Sequence, residues 1–261
     1  MGRDVLDLPP PPGGTRIHYG PGEHHYGDLR MPSSPGPHPV AVSIHGGFWR
    51  AAFGLDHMSH ACAKLALAGV ATWNFEYRRV GQPGGGWPGT LDDAASGFEY
   101  VKALAESHPL DLKRVVIFGF SAGGHLALWL ASHPRRIPLK GVVSLAGVAD
   151  LRHASEMQLG NGAVDDFLGG SPKQVPDRYR SASPIELLPG GVRTVLIHGT
   201  KDVTVPIEIS RRFAEAATAK GLDAKLIPME GADHFPPMDP RDPEWKTTES
   251  AILSLLGVSH K

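Results

Sequence analysis

Three short segments of the chain carry the residue types needed to break an acyl bond. Gly119-Phe120-Ser121-Ala122-Gly123 sets a serine two residues from a glycine on either side, the pattern of a nucleophile held on a tight strand-to-helix turn. A serine hydroxyl is a weak nucleophile at neutral pH, so it needs a base to take its proton and a carboxylate to orient that base. Downstream, Gly199-Thr200-Lys201-Asp202 supplies a carboxylate and Asp233-His234-Phe235 an imidazole, which gives the order Ser121, Asp202, His234. Asp233 competes for the acid role. Neighbouring residues seldom make the required side-chain hydrogen bond, so Asp202 is preferred and Asp233 is read as a turn former.

Upstream stands His45-Gly46-Gly47-Phe48-Trp49. Glycines there let the main chain approach a substrate, and N–H groups fixed before reaction stabilise charge that develops only in the transition state. The expected oxyanion hole is formed by the N–H groups of Gly47, Phe48 and Ala122, with the side chain of His45 holding the loop. Trp49, Phe120 and Phe235 flank these motifs and are expected to line an apolar substrate pocket, with Phe48 beside them. Trp87 is assigned to core packing.

Elements of recognisable period must position these groups. Val40 to Ile44, Val70 to Phe75, Val115 to Phe118, Gly141 to Leu145, Val195 to His198 and Ala224 to Ile227 read as strands. Apolar stripes at helical spacing run through Met58, Cys62 and Leu65, through Ala94, Phe98, Val101 and Ala105, and through Ile209, Phe213, Ala216 and Ala217. His125 to Ala131 is apolar nearly all round, as a central helix would be, and Trp245, Ile252 and Leu255 supply a last helix. This alternation predicts an α/β fold: a mostly parallel, doubly wound sheet of about eight strands with helices on both faces. Arg16 to Met31 is expected to add antiparallel edge strands. Serine, aspartate and histidine then each follow a strand, on the edge where open α/β sheets bind ligands.

Residues 1–15, with the Pro9 to Gly14 run, read as a leader or strap without a role in function, and residues 16–261 as one domain. Within it, the polar, glycine-broken stretch 150–188 is expected to form a short cap-like insertion and one wall of the substrate site. Lys plus Arg number 26 against 27 Asp plus Glu, so no strong field favours nucleic acid. A single cysteine, Cys62, excludes an internal disulfide and a cysteine-based zinc cluster, and its place on an apolar stripe suits a core residue. The 14 histidines show no ligand spacing such as H-E-x-x-H, and His57 with His60 reads as a solvated helix face, so no metal is expected. Gly84-Gly85-Gly86 is followed by no Lys-Ser/Thr and is not a phosphate loop. With no apolar run of 18 residues and no signal-like start, the expectation is a cytoplasmic protein without membrane contact. Homo-oligomerisation is left open.

His45-Gly-Gly-Phe-Trp, Gly119-Phe-Ser-Ala-Gly-Gly-His-Leu and the loops of Asp202 and His234 resemble the serine carboxylesterases of the α/β-hydrolase fold. They are most similar to the branch that includes kynurenine formamidase and related small esterases. Asn74-Phe-Glu-Tyr-Arg78 and Ser183-Pro-Ile185 extend the resemblance, which covers Arg16 to Leu256. Phe48 and Phe120 stand where hormone-sensitive-lipase-type esterases carry a third glycine and an acidic residue. The resemblance implies hydrolysis of small short-chain acyl or aryl esters through an acyl-enzyme, with no metal or cofactor and a small-molecule ester as partner. N-formylkynurenine formamidase is the alternative enzyme, and a non-catalytic binding protein on the same fold is the alternative from another class.

Overall fold

A computed structural model describes residues 2–188 and 191–259. Met1 of the expected leader, and Pro189, Gly190, His260 and Lys261 of the expected domain, lie outside the described residues. One sheet runs through the molecule, built from β1 (Thr15–His18), β2 (Tyr26–Arg30), β3 (His38–Ile44), β4 (Ala71–Phe75), β5 (Leu110–Phe120), β6 (Gly141–Leu145), β7 (Thr194–Gly199) and β8 (Ala224–Met229). Their spatial order is β1-β2-β4-β3-β5-β6-β7-β8. β1 and β2 pair antiparallel at one edge, and β2 meets β4 antiparallel. From β4 to β8 every pairing is parallel, so the C-terminal ends of β3, β5, β7 and β8 share one edge.

The central strands are buried on both faces, which is why they read as unbroken apolar runs. Alternate residues feed two cores, as the two-residue strand period requires. Val40, Val42, Val115, Ile117 and Leu196 belong to one apolar cluster, while Ala41, Val116, Phe118, Val195 and Ile197 belong to the other. Helices close both faces. Among the described residues these are α1 (Ser59–Leu67), α2 (Gly89–Glu99), α3 (Val101–Ser107), α4 (Ala122–Ser132), α5 (Leu151–Glu156), α6 (Leu159–Leu168), α7 (Pro176–Ala182), α8 (Glu208–Ala219) and α9 (Trp245–Leu256). Buried residues of α2, α3, α4 and α8 lie in the first cluster, and those of α1 and α9 in the second. The stripe from Ala94 to Ala105 is shared by two helices, α2 and α3, rather than carried by one.

Two segments take forms that residue period alone does not show. Residues 150–188 form α5, α6, α7 and a single turn, Pro184–Leu187, and they pack behind the loop that follows β3. Phe167 stacks on Trp49 with ring centroids 4.7 Å apart, and Arg50 pairs with Asp166 at 2.9 Å. The leader is folded. Gly2–Asp7 makes a short 3-10 helix whose Val5 is buried in the second cluster.

Candidate active site

Ser121 sits between the end of β5 and the start of α4 with φ 54° and ψ −116°, a backbone conformation that few non-glycine residues adopt. Such strain persists only where the surroundings enforce it. Here a Cβ on Gly119 would fall 2.2 Å from the carbonyl oxygen of Gly123, and one on Gly123 would fall 2.1 Å from that of Ile44. Both glycines are therefore fixed by the turn. The Ser121 N–H donates to Leu145 O at 2.8 Å, which ties the turn to β6.

Past β7, Asp202 is held by four donors. Its Oδ1 accepts from the N–H groups of Thr204 and Val205, each at 2.8 Å. Its Oδ2 accepts from His234 Nδ1 at 2.6 Å and faces His198 Nε2 at 3.2 Å. Burial alone would raise this carboxyl, but the hydrogen bonds from His198 and His234 outweigh it and hold Asp202 well below the ordinary carboxylate range. Gly199 lets the two loops meet: a Cβ there would fall 2.2 Å from Asp233 O, and Lys201 N donates to Ala232 O at 2.9 Å. Asp233 turns away and accepts the Phe235 N–H at 3.1 Å within its own loop.

His198 carries no signature in the sequence. Fully buried, it donates from Nε2 to Val205 O and accepts at Nδ1 from Ser210 Oγ, both at 2.7 Å. In the sequence it reads only as the last polar residue of a strand.

The loop after β3 runs against the serine. A Cβ on Gly46 would lie 3.0 Å from Ser121 Cβ, and Gly47, with φ 112°, would drive a Cβ to 2.4 Å from that of Phe53. No acceptor among the described residues takes the N–H groups of Gly47, Phe48 or Ala122. His45 anchors this loop from beneath. Its Nδ1 donates to Gly46 O and its Nε2 to Glu76 Oε1, both at 2.7 Å, and its ring stacks on Tyr77 at 4.3 Å. Burial would raise Glu76, yet the charge and hydrogen bond of His45 pull it below its usual value. Glu76 is a second site-supporting residue that sequence reasoning passed over, although it lies inside Asn74-Phe-Glu-Tyr-Arg78.

A cavity of about 240 Å³ opens over these groups, walled by Leu6, Gly47, Phe48, Phe53, His57, Phe120, Ser121, Thr204, His234 and Phe235. Ser121 and His234 thus face one space, though the Ser121 hydroxyl makes no hydrogen bond among the described residues. The Phe120 ring lies 4.6 Å from that of His234. Phe120 and Phe235 line the cavity. Trp49 does not: it is fully buried behind the loop, where its indole donates to His125 Nδ1 at 3.2 Å and stacks on Phe167. Its φ of 56° turns the side chain into the core rather than toward the substrate side. Residues 150–188 contribute none of these walls, and the leader contributes Leu6 instead. His57 lines the cavity rather than a solvated face, and burial pulls its imidazole down to about 4. Trp87 lies elsewhere, under the Arg178 guanidinium. Among the described residues no cluster of His, Cys, Asp or Glu could hold a metal, and no helix is long and apolar enough to cross a membrane.

The BD-FAE family model matches residues 28–217. Among curated proteins, the chain is 27% identical over 246 residues to a probable isoprenylcysteine alpha-carbonyl methylesterase of Arabidopsis thaliana, covering 84% of this chain and 50% of that protein. It is 28% identical over 227 residues to esterase LipC of Mycobacterium tuberculosis, covering 78% and 54%. The chain thus spans about half the length of these relatives. Among solved structures, a truncated carbohydrate esterase from gut microbiota superposes with a TM-score of 0.81 at 21% identity, over 93% of this chain and 96% of that one. Esterase Est2 of Thermogutta terrifontis gives 0.76 at 23%, over 94% and 92%. These likenesses establish the α/β-hydrolase fold. The finer resemblance to the formamidase branch finds no support in these relatives, whose names are those of esterases.

Proposed function

The chain belongs to the BD-FAE family, and we propose that it is a serine carboxylesterase acting on small esters. The observation that carries this is the 2.6 Å hydrogen bond from His234 Nδ1 to Asp202 Oδ2, on a histidine that shares one cavity with Ser121. The carboxylate fixes the imidazole with its hydrogen on Nδ1, which leaves Nε2 free to act as a base.

Substrate seated in the cavity draws the hydroxyl and the imidazole to hydrogen-bond distance, a contraction common when a catalytic pair meets its substrate. Ser121 Oγ then attacks the acyl carbon while His234 takes its proton. Negative charge gathers on the former carbonyl oxygen, where the N–H groups of Gly47, Phe48 and Ala122 form the oxyanion hole. The bond from carbon to the alcohol oxygen breaks, and the alcohol leaves with the proton that His234 returns. Water then attacks the acyl-enzyme, with its proton passing to His234 and back to Ser121 Oγ, and the acid departs. Ser121, His234, backbone N–H groups and the attacking water account for every proton and charge in this sequence, so the steps call for no metal or cofactor.

The volume of about 240 Å³ and the phenylalanine walls favour short acyl or aryl groups. Ser121→Ala tests the proposal. It should abolish hydrolysis of p-nitrophenyl acetate with the circular dichroism spectrum unchanged, and turnover retained by the variant would refute it.

A further inference from the structure

We propose that Leu6 is a specificity-determining residue: the N-terminal strap carries it into the cavity wall, where it limits the length of the ester group the cavity accepts. The inference rests on the esterase function proposed above. The strap lies outside the span matched by the family model, which begins at residue 28.

Three attachments hold the strap in place. Val5 is buried at 2% exposure in the apolar cluster that includes Met58, Met238 and Trp245, and Leu6 and Leu8 pack against the same cluster. His60 Nε2 donates to Pro9 O at 3.0 Å. Arg30, only 6% exposed, donates from Nη2 to Pro11 O at 2.5 Å and from Nη1 to Pro12 O at 2.6 Å. A proline run has no N–H to offer, and its ring-locked backbone presents carbonyl oxygens alone. It therefore docks where donors are fixed, and a buried guanidinium is a strong one. Four successive prolines that cannot enter the sheet thus become a stiff tether, and the residues before them are set against the site.

The consequence for substrates follows from the walls. Apart from Ser121 and His234, the side chains around the cavity are Leu6, Phe48, Phe53, Phe120, Phe235, His57 and Thr204. Such a surface favours each added methylene by about fourfold until a wall is met. Among the described residues, Leu6 is the one wall residue supplied from outside the loops at the strand ends and the Phe53 to His57 stretch. It lies on a segment separate from those that carry Ser121, Asp202 and His234.

The test compares Leu6→Ala, Leu6→Trp and the unaltered chain on two series: p-nitrophenyl esters from acetate to octanoate, and acetate esters of alcohols of increasing length. For whichever series occupies this end of the cavity, Leu6→Ala should move the optimum to longer groups, raising the long-to-short ratio of kcat/KM by about fourfold per accommodated methylene. Leu6→Trp should lower the same ratio. Unchanged ratios in both series, including a uniform loss of rate from a loosened fold, would overturn the inference. Failure of the underlying function is seen separately, as hydrolysis by the unaltered chain that Ser121→Ala does not remove.

Discussion

Replacing Asp202 by asparagine exchanges one carboxylate oxygen for an NH2 group at almost no change in volume, so it isolates what the carboxylate does. An asparagine placed here keeps an amide oxygen for the N–H groups of Thr204 and Val205, which hold Oδ1 at 2.8 Å. Its NH2 group then occupies the place of Oδ2, facing His234 Nδ1 at 2.6 Å and His198 Nε2 at 3.2 Å. A donor cannot accept from His234, so the imidazole must shift its hydrogen to Nε2, the nitrogen that has to take the serine proton. The charge that would balance the imidazolium is lost as well. Both effects act on the transition state, and the expected fall in kcat is about 10⁴-fold, or about 5 kcal/mol of barrier. The readout is kcat/KM on p-nitrophenyl acetate, with Asp233→Asn as the control. Because Asp233 only caps its own exposed loop, that variant should stay within about twofold of the unaltered enzyme. The reasoning fails if Asp202→Asn keeps more than about a tenth of the activity, or if Asp233→Asn is the variant that collapses.

Two further outcomes follow from the supporting structure. Gly47→Ala puts a Cβ 2.4 Å from that of Phe53 at φ 112°, so the loop must move and its N–H groups with it; kcat should drop by about 10²-fold to 10³-fold, and an alanine variant of normal kcat would refute the assigned oxyanion hole. His125 is fully buried, accepts from Trp49 Nε1 and donates to Ala182 O, and burial holds its imidazole down to about 4. The unfolded chain binds a proton at this residue below roughly 6.5 while the folded chain stays neutral, so its contribution to stability falls as pH drops from about 6.5 to 4, by up to about 3 kcal/mol. Urea unfolding at pH 7 and 4.5 should show a smaller pH effect in His125→Gln, and equal pH effects in the two proteins would contradict this.

Sequence by itself determined the parts of this protein whose causes are local. Strands buried on both faces must be apolar throughout, helices on a sheet must carry a stripe, and a strained serine turn must have glycines on either side; each condition leaves a mark within a few residues. Chain order and strand alternation then placed Ser121, Asp202 and His234 after strands that share one sheet edge, where the parallel pairing of β3, β5, β7 and β8 puts them. Contacts between distant segments left no such mark, because a residue's neighbours across the fold are set by packing and not by period. Trp49 looked like a pocket residue from its position beside the glycine loop, but a positive φ turned it toward Phe167. Glu76 and His198 looked like ordinary strand-end residues until the fold brought one under His45 and the other against Asp202. The proline leader reads as inert, since nothing near it in sequence tells that Arg30 fixes its carbonyls and that Leu6 lines the cavity. The tertiary structure alone decided those pairings, because hydrogen bonds and van der Waals contacts act over a few ångströms of space, whatever length of chain separates the partners.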